Sequence, residues 1–139
     1  MRVYIDSNII IDILEEREPF FEDSYNIMRL SLDGGIEAIT SAGAVTDVYY
    51  IISKKLHDPV LAREKIFLLS NFVKICNCTA EDIAKSLVLF MPDFEDSVIA
   101  AIAKREKAAF IITRNEDDFT NSPVPVISPA QFLLMYENK

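Results

Sequence analysis

The chain has 139 residues, half of them hydrophobic and 26% charged, with a formal net charge of −8. That suits one domain able to bury roughly two thirds of its unfolded surface. No apolar run nears the ~20 residues needed to span a bilayer, and Asp6 and Asp12 interrupt the apolar N-terminal stretch, which reads against a signal peptide. Cys76 and Cys78, with His57 as the one histidine, are too few for a zinc site or a disulfide framework. The expectation is a single domain over residues 1–139, reduced and cytoplasmic. Its acidity weighs against a polyanionic partner, because phosphate contacts are made mainly by Lys and Arg. Carboxylates gathered around a divalent cation would lessen that objection.

In chain order, residues 2–5 read as a short buried strand. A helix follows from about Asn8 to Glu16, carried by Ile9, Ile10, Ile13 and Leu14. Pro19 opens a second helix, which Gly34 and Gly35 end. Residues 36–40 are strand-like, and Ser41 is placed to cap a helix running through Val45, Val48, Ile52 and Leu56. Pro59 starts a helix to about Phe72, before a strand at residues 73–76. Thr79 caps a helix expected to reach about Phe90, with Glu81 and Asp82 in its first turn, where negative charge is favoured. Past Pro92 a helix is predicted over residues 94–107. Strands at residues 109–113 and 124–128 follow, and Pro129 opens a terminal helix.

Short apolar strands alternating with helices predict an α/β fold, a central mainly parallel sheet between helical layers. Ligands of such sheets gather at the carboxyl ends of the strands. Asp6 follows the first strand, Ser41 the second, and Thr113-Arg114-Asn115 the strand "FII". Asp47 lies early in the helix after Ser41. Asp93 and Asp96 share a face at the start of a later helix, and Asp117 and Asp118 follow Asn115. Hard divalent cations such as Mg²⁺ take oxygen ligands of this kind, and a cation so held can orient water and stabilise charge on a phosphate.

Each acid also has a local reading. Asp6 or Ser7 could cap the first helix, Asp93 could cap the helix containing Asp96, and Asp47 could lie on a solvated face near Tyr50 and Lys54. Asp117 fits an ordinary acidic loop. The case rests on the acids falling together at one sheet edge.

The stretches "YIDSNIIIDIL", "ITSAGAVTD" and "DFEDSVIAAIA…AFIITRNEDDF" resemble the PIN-domain family of metal-dependent ribonucleases, which includes the VapC-like toxins of toxin–antitoxin pairs. The resemblance covers nearly the whole chain and implies the same α/β/α sandwich. Its acidic positions fall on Asp6, Asp47, Asp96 and the Asn115/Asp118 pair, with Ser7 and Asn8 at the polar positions after the first acid. Asp47 stands where the family usually has Glu, and Asn115 where Asp is frequent. A dehalogenase-like phosphatase would need an Asp where Asn8 stands, and a receiver domain a Lys where Thr113-Arg114 stands.

The resemblance implies an endoribonuclease that uses Mg²⁺ or Mn²⁺ to hydrolyse RNA phosphodiester bonds. Its catalytic residues would be Asp6, Asp47, Asp96 and Asp118, and its metal set those four with Asn115 and Asp93. Ser7, Asn8 and Arg114 are candidate substrate contacts, although Arg114 could equally pair with Glu116 or Asp117. Lys54, Lys55, Lys104, Arg105 and Lys107 are the other basic groups available to track a backbone. An antitoxin is a candidate partner, and Phe20, Phe21, Tyr49 and Tyr50 suggest a homodimer. The alternative is a PIN-like module that binds nucleic acid or protein without catalysis.

Overall fold

A computed structural model describes residues 1–138. The chain runs β1 (Arg2–Ile5), α1 (Ser7–Leu14), α2 (Phe21–Leu32), β2 (Glu37–Ser41), α3 (Ala42–Leu56), α4 (Pro59–Leu69), β3 (Lys74–Cys76), α5 (Ala80–Ser86), α6 (Phe94–Arg105), β4 (Phe110–Ile112), a 3₁₀ turn (Glu116–Phe119), β5 (Val126–Ile127) and α7 (Pro129–Glu137). The five strands are all parallel, in the order β3-β2-β1-β4-β5.

Alternation along the strands puts both sheet faces out of water. Val3, Ile5, Ala38 and Ile112 pack into one core with Ile9, Ile27, Val48, Leu69 and Phe132 from the helices of that side. Tyr4, Ile39 and Ile111 face the other way, onto Ala100, Ile102 and Ala103 of α6. The result is the expected three-layer sandwich. No helix among the described residues is long and apolar enough to cross a membrane.

The strand order fixes the position of the site. From β1 the chain builds β2 and β3 on one side, then returns to build β4 and β5 on the other. The connections diverge above the carboxyl ends of β1 and β4, which opens a crevice there.

Ser41, Thr79 and Asp93 cap their helices as read from the sequence, Asp58 and Ser128 do so just before Pro59 and Pro129, and α2 starts at Phe21 with no side-chain cap. Ser41 accepts from the Ala44 N–H, Asp58 from Leu61, Thr79 from Asp82, Asp93 from Asp96 and Ser128 from Gln131. Helix ends differ more. α5 stops at Ser86 rather than Phe90, because the run that follows does not keep one apolar face. Leu89 and Met91 pack inward, whereas Leu87, Val88 and Phe90 are exposed. Phe90 takes a left-handed φ of 55°. α4 stops at Leu69 rather than Phe72, as Ser70, Asn71 and Phe72 tighten into i→i−3 bonds.

Of the aromatics expected at the surface, Tyr50 and Phe20 are exposed, whereas Tyr49 and Phe21 are half-buried. Tyr49 packs against the larger core, and Phe21 stacks with Tyr25 at 5.4 Å.

One ion pair ties α5 to α6. Arg105 donates from Nε to Asp82 Oδ1 at 2.9 Å and from Nη2 to Oδ2 at 3.1 Å, while Asp82 also closes the capping box with Thr79. Burial alone would raise the Asp82 carboxyl, but Arg105 and Thr79 together hold it below its ordinary value. Asp82→Ala should cost about 3 kcal/mol in urea unfolding, because Arg105 loses its partner and the helix loses half of its box. Lys85→Ala, which breaks only the exposed pair with Glu81, should stay within about 0.5 kcal/mol.

Candidate active site

β1 ends on Asp6, whose own N–H bonds to the Ile112 carbonyl at 3.0 Å and whose carbonyl accepts from Ile9 and Ile10 to start α1. Its side chain is buried. Oδ1 accepts from the Ser7 N–H at 2.8 Å, and Oδ2 accepts from the Thr113 hydroxyl at 2.7 Å. Asp6 is therefore both the helix cap and a member of the crevice; the two readings of the sequence coexist. Burial drives its pKa up, the bonds from Thr113 and Ser7 pull it down, Asp118 pushes it up and Arg114 draws it down. The net direction is upward.

Thr113 is the hub of this edge. While its hydroxyl donates to Asp6, its oxygen accepts from Asn8 Nδ2 at 3.2 Å and from the Asn115 N–H at 3.1 Å. One donor and two lone pairs are thus all used. The bond frame turns the Asn8 amide so that its Oδ1 is buried with no partner. A buried acceptor left unpaired is costly and calls for a donor or a cation.

Asp96 enters from α6. Its N–H donates to Asp93 Oδ1 at 2.9 Å, so Asp93 is the cap of that helix and does not line the crevice. Burial first, then the charges of Asp6, Asp93, Asp118 and Glu95, push the Asp96 carboxyl up to about 7. Asp47 is exposed on the α3 wall of the same crevice, and Asn115 stands on the β4 side. Asp118, in the 3₁₀ turn, is off the wall, but its charge reaches both Asp6 and Asp96. The crevice has a volume of about 370 Å³, and its α6 wall carries Glu95 and Asp96 together with the apolar side chains of Phe94, Val98, Ile99 and Ile102.

The structure thus brings Asp6, Asp47, Asp96 and Asn115 to one crevice, with Ser7 and Asn8 beside them. Among the described residues, no three acidic, His or Cys side chains are gathered closely enough to form a ready-made ion cage. The donor set fits a hydrated hard cation instead. Mg²⁺ commonly takes only one or two carboxylates and keeps several waters.

Arg114 differs from expectation. It pairs with neither Glu116 nor Asp117. Its Nε donates to Asp12 Oδ2 at 2.6 Å and its Nη2 to Oδ1 at 3.2 Å, and its guanidinium lies 3.9 Å from the centroid of the Phe20 ring. Asp12 is wholly buried and also accepts from Arg17 Nε at 2.8 Å. The sequence did contain a signal for this. Asp12 sits inside an isoleucine-rich helix turn, where a charge needs a partner. Other expected basic groups are also engaged: Arg105 with Asp82, and Lys54 with the Tyr50 hydroxyl at 3.2 Å. Among the described residues, no Lys or Arg lines the crevice.

The crowded carboxylates set a pH dependence. Native Asp96 keeps its proton to about pH 7, whereas the unfolded chain releases it near 3.8. The native state therefore binds more protons in that interval, and stability falls as pH rises through it. In EDTA, Tm should decline between about pH 4 and pH 7, and Asp96→Asn should flatten the decline. A melting series showing wild type and variant with the same slope would remove Asp96 from the crowded cluster.

The model of the PIN domain family matches residues 2–117. Ribonuclease VapC1 of Aquifex aeolicus is 27% identical over 136 residues, covering 94% of this chain and 92% of that protein. Among solved structures, VapBC2 from Rickettsia felis, bound to a DNA fragment from its promoter, matches with a TM-score of 0.74 at 18% identity, over 92% of this chain and 98% of that one. VapC20 of Mycobacterium tuberculosis, a toxin that cleaves the sarcin-ricin loop, matches with a TM-score of 0.63 at 12% identity, over 78% and 86%. With the family model spanning most of its length and the acids of three separate segments meeting at the β1/β4 edge, the chain belongs to the PIN-domain family.

Proposed function

We propose that this chain is an endoribonuclease dependent on Mg²⁺ or Mn²⁺, acting as a single domain and as the toxin of a cytoplasmic toxin–antitoxin pair. The observation that carries the reading is the meeting of Asp6, Asp47 and Asp96 in one crevice, with the Asp96 carboxyl pushed up to about 7 by burial and like charge. Such a pocket favours a cation. The similarity to Ribonuclease VapC1 supports an RNA substrate, and the likeness to toxin–antitoxin complexes supports a protein antitoxin as partner.

Asp6 and Asp96 are the proposed direct ligands, with Asp47, Asn115 and Asp118 contributing through water. Asp93 serves the site by capping α6 and fixing the turn that carries Asp96. A bound divalent cation would supply a more acidic water and stabilise charge on the phosphate. Thr113 keeps Asp6 aimed into the crevice, and Ser7 and Asn8 present polar edges to the incoming phosphodiester. Hydrolysis then forms a bond from water oxygen to phosphorus and breaks one bond from phosphorus to a ribose oxygen. Arg114 supports the loop that holds Asn115 and is not a free phosphate clamp. Homodimerisation, suggested by exposed Tyr50, is part of the same proposal.

The wide spacing of the acids and the neutral Asn115 favour one rival reading, a PIN-like binding module without catalysis. Metal binding separates the two. At a hundred times Kd, Mn²⁺ should stabilise wild type by about 2.7 kcal/mol, read as a rise in Tm. Asp96→Asn should melt above wild type in EDTA, below it in saturating Mn²⁺, and lose at least about 100-fold in RNA cleavage. Absence of any metal-induced shift in wild type would favour the binding module.

A further inference from the structure

Beside Asp96, α6 also lends the crevice apolar side chains. Phe94, the first residue of α6 and two positions before Asp96, lines the crevice and is 52% exposed. Val98, one helical turn on, lies on the same face, and Ile99 and Ile102 continue it inward. An aromatic ring half open to water, at the mouth of a site built to act on a phosphodiester, has an unfilled face.

The electrostatics make that face matter. Among the described residues no Lys or Arg lines the crevice, Arg114 is held by Asp12, and the chain carries a net charge of −8. Inside the crevice the phosphates of an entering strand meet no side-chain cation among those residues. Beside the proposed metal ion, the further source of local affinity is contact with the bases, whose π faces stack on aromatic rings whatever their sequence.

We infer that Phe94 is the platform on which one unpaired nucleobase beside the scissile phosphodiester stacks. The inference rests on the ribonuclease reading above. A base within a duplex is already stacked on both faces, so it reaches the ring only from a single strand, loop or bulge. Phe94 grips the substrate and takes no part in the chemistry. Stacking supplies no hydrogen-bond readout, so discrimination among bases at this position is weak and follows stacking strength.

The test combines ring variants with base removal. Single-stranded RNA carrying an abasic ribose at each position in turn is cleaved by wild type, Phe94→Ala, Phe94→Leu and Phe94→Trp in Mn²⁺. Binding of the same labelled RNAs is followed by fluorescence anisotropy in Ca²⁺. Phe94→Ala and Phe94→Leu should raise KM about tenfold with a smaller change in kcat, while Phe94→Trp keeps wild-type KM. One abasic position should reproduce the loss in wild type and add nothing further in Phe94→Ala, since ring and base form one contact. A duplex of the same sequence should be cut no better by wild type than by Phe94→Ala.

Losses that multiply at every position, or a Phe94→Leu variant equal to wild type, would overturn the stacking role and leave the ribonuclease reading standing. Coupling seen in anisotropy without cleavage by wild type would keep the stacking role and remove the ribonuclease. RNA neither bound nor cut would remove both.

Discussion

A 2.7 Å hydrogen bond from the Thr113 hydroxyl to the Asp6 carboxylate joins the ends of the two strands that flank the crevice. Asp6 is buried, its other oxygen accepts one backbone N–H, and among the described residues it forms no salt bridge with a cationic side chain. A carboxylate in such a place is expensive to ionise, and neutral donors offset only part of that cost. Everything else at this edge is arranged around it. The Asn8 amide and the Asn115 N–H take the two lone pairs of Thr113, so the first turn of α1 and the loop after β4 share one anchor. Like charge on Asp118 raises the cost further, and the charge of Asp6 in turn raises it for Asp96. The site stores electrostatic strain that a divalent cation would relieve.

A second, fully paired carboxylate lies nearby and works in the opposite sense. Asp12 is as dry as Asp6, but it is held by two guanidiniums, Arg17 and Arg114, the second seated on the Phe20 ring. This cluster is structural. It ties the β4 exit loop to the end of α1 and the turn before α2, and so fixes the backbone next to Asn115. The two aspartates lie six positions apart in the sequence. One has its partners within the protein and the other only part of its own, which is the difference between a staple and a binding group.

The acidity of the chain, at first an argument against a nucleic-acid partner, takes a different meaning in the fold. Several cations that could have faced a backbone serve internal carboxylates: Arg105 on Asp82, Lys65 on Glu15, Arg114 on Asp12. Among the described residues, those lining the crevice are carboxylates, neutral polar groups and apolar side chains. In the proposed reading, recognition at such a surface would divide between a cation for the phosphate and stacking for the base.

The sequence by itself determined the layers, the parallel sheet, the capping residues and the edge on which the site lies. Those features follow from local periodicity and from residues whose hydrogen bonds reach only a few positions along the chain. It also marked Asp6, Asp96 and Asn115, each at a strand end or a helix start, and Asp47 in the second turn of α3, as residues that would meet, along with Asp93 and Asp118, which do not line the crevice. Only the tertiary structure decided how they are partnered. Arg114 looked as available for Glu116 as for a phosphate, yet it reaches back to Asp12, 102 positions earlier. Thr113 as the tether of Asp6, the unpaired Asn8 oxygen and the open Phe94 ring were likewise invisible in one dimension. Hydrogen bonds, ion pairs and exposure at a sheet edge depend on which strand ends become neighbours in space, and that is set by strand order.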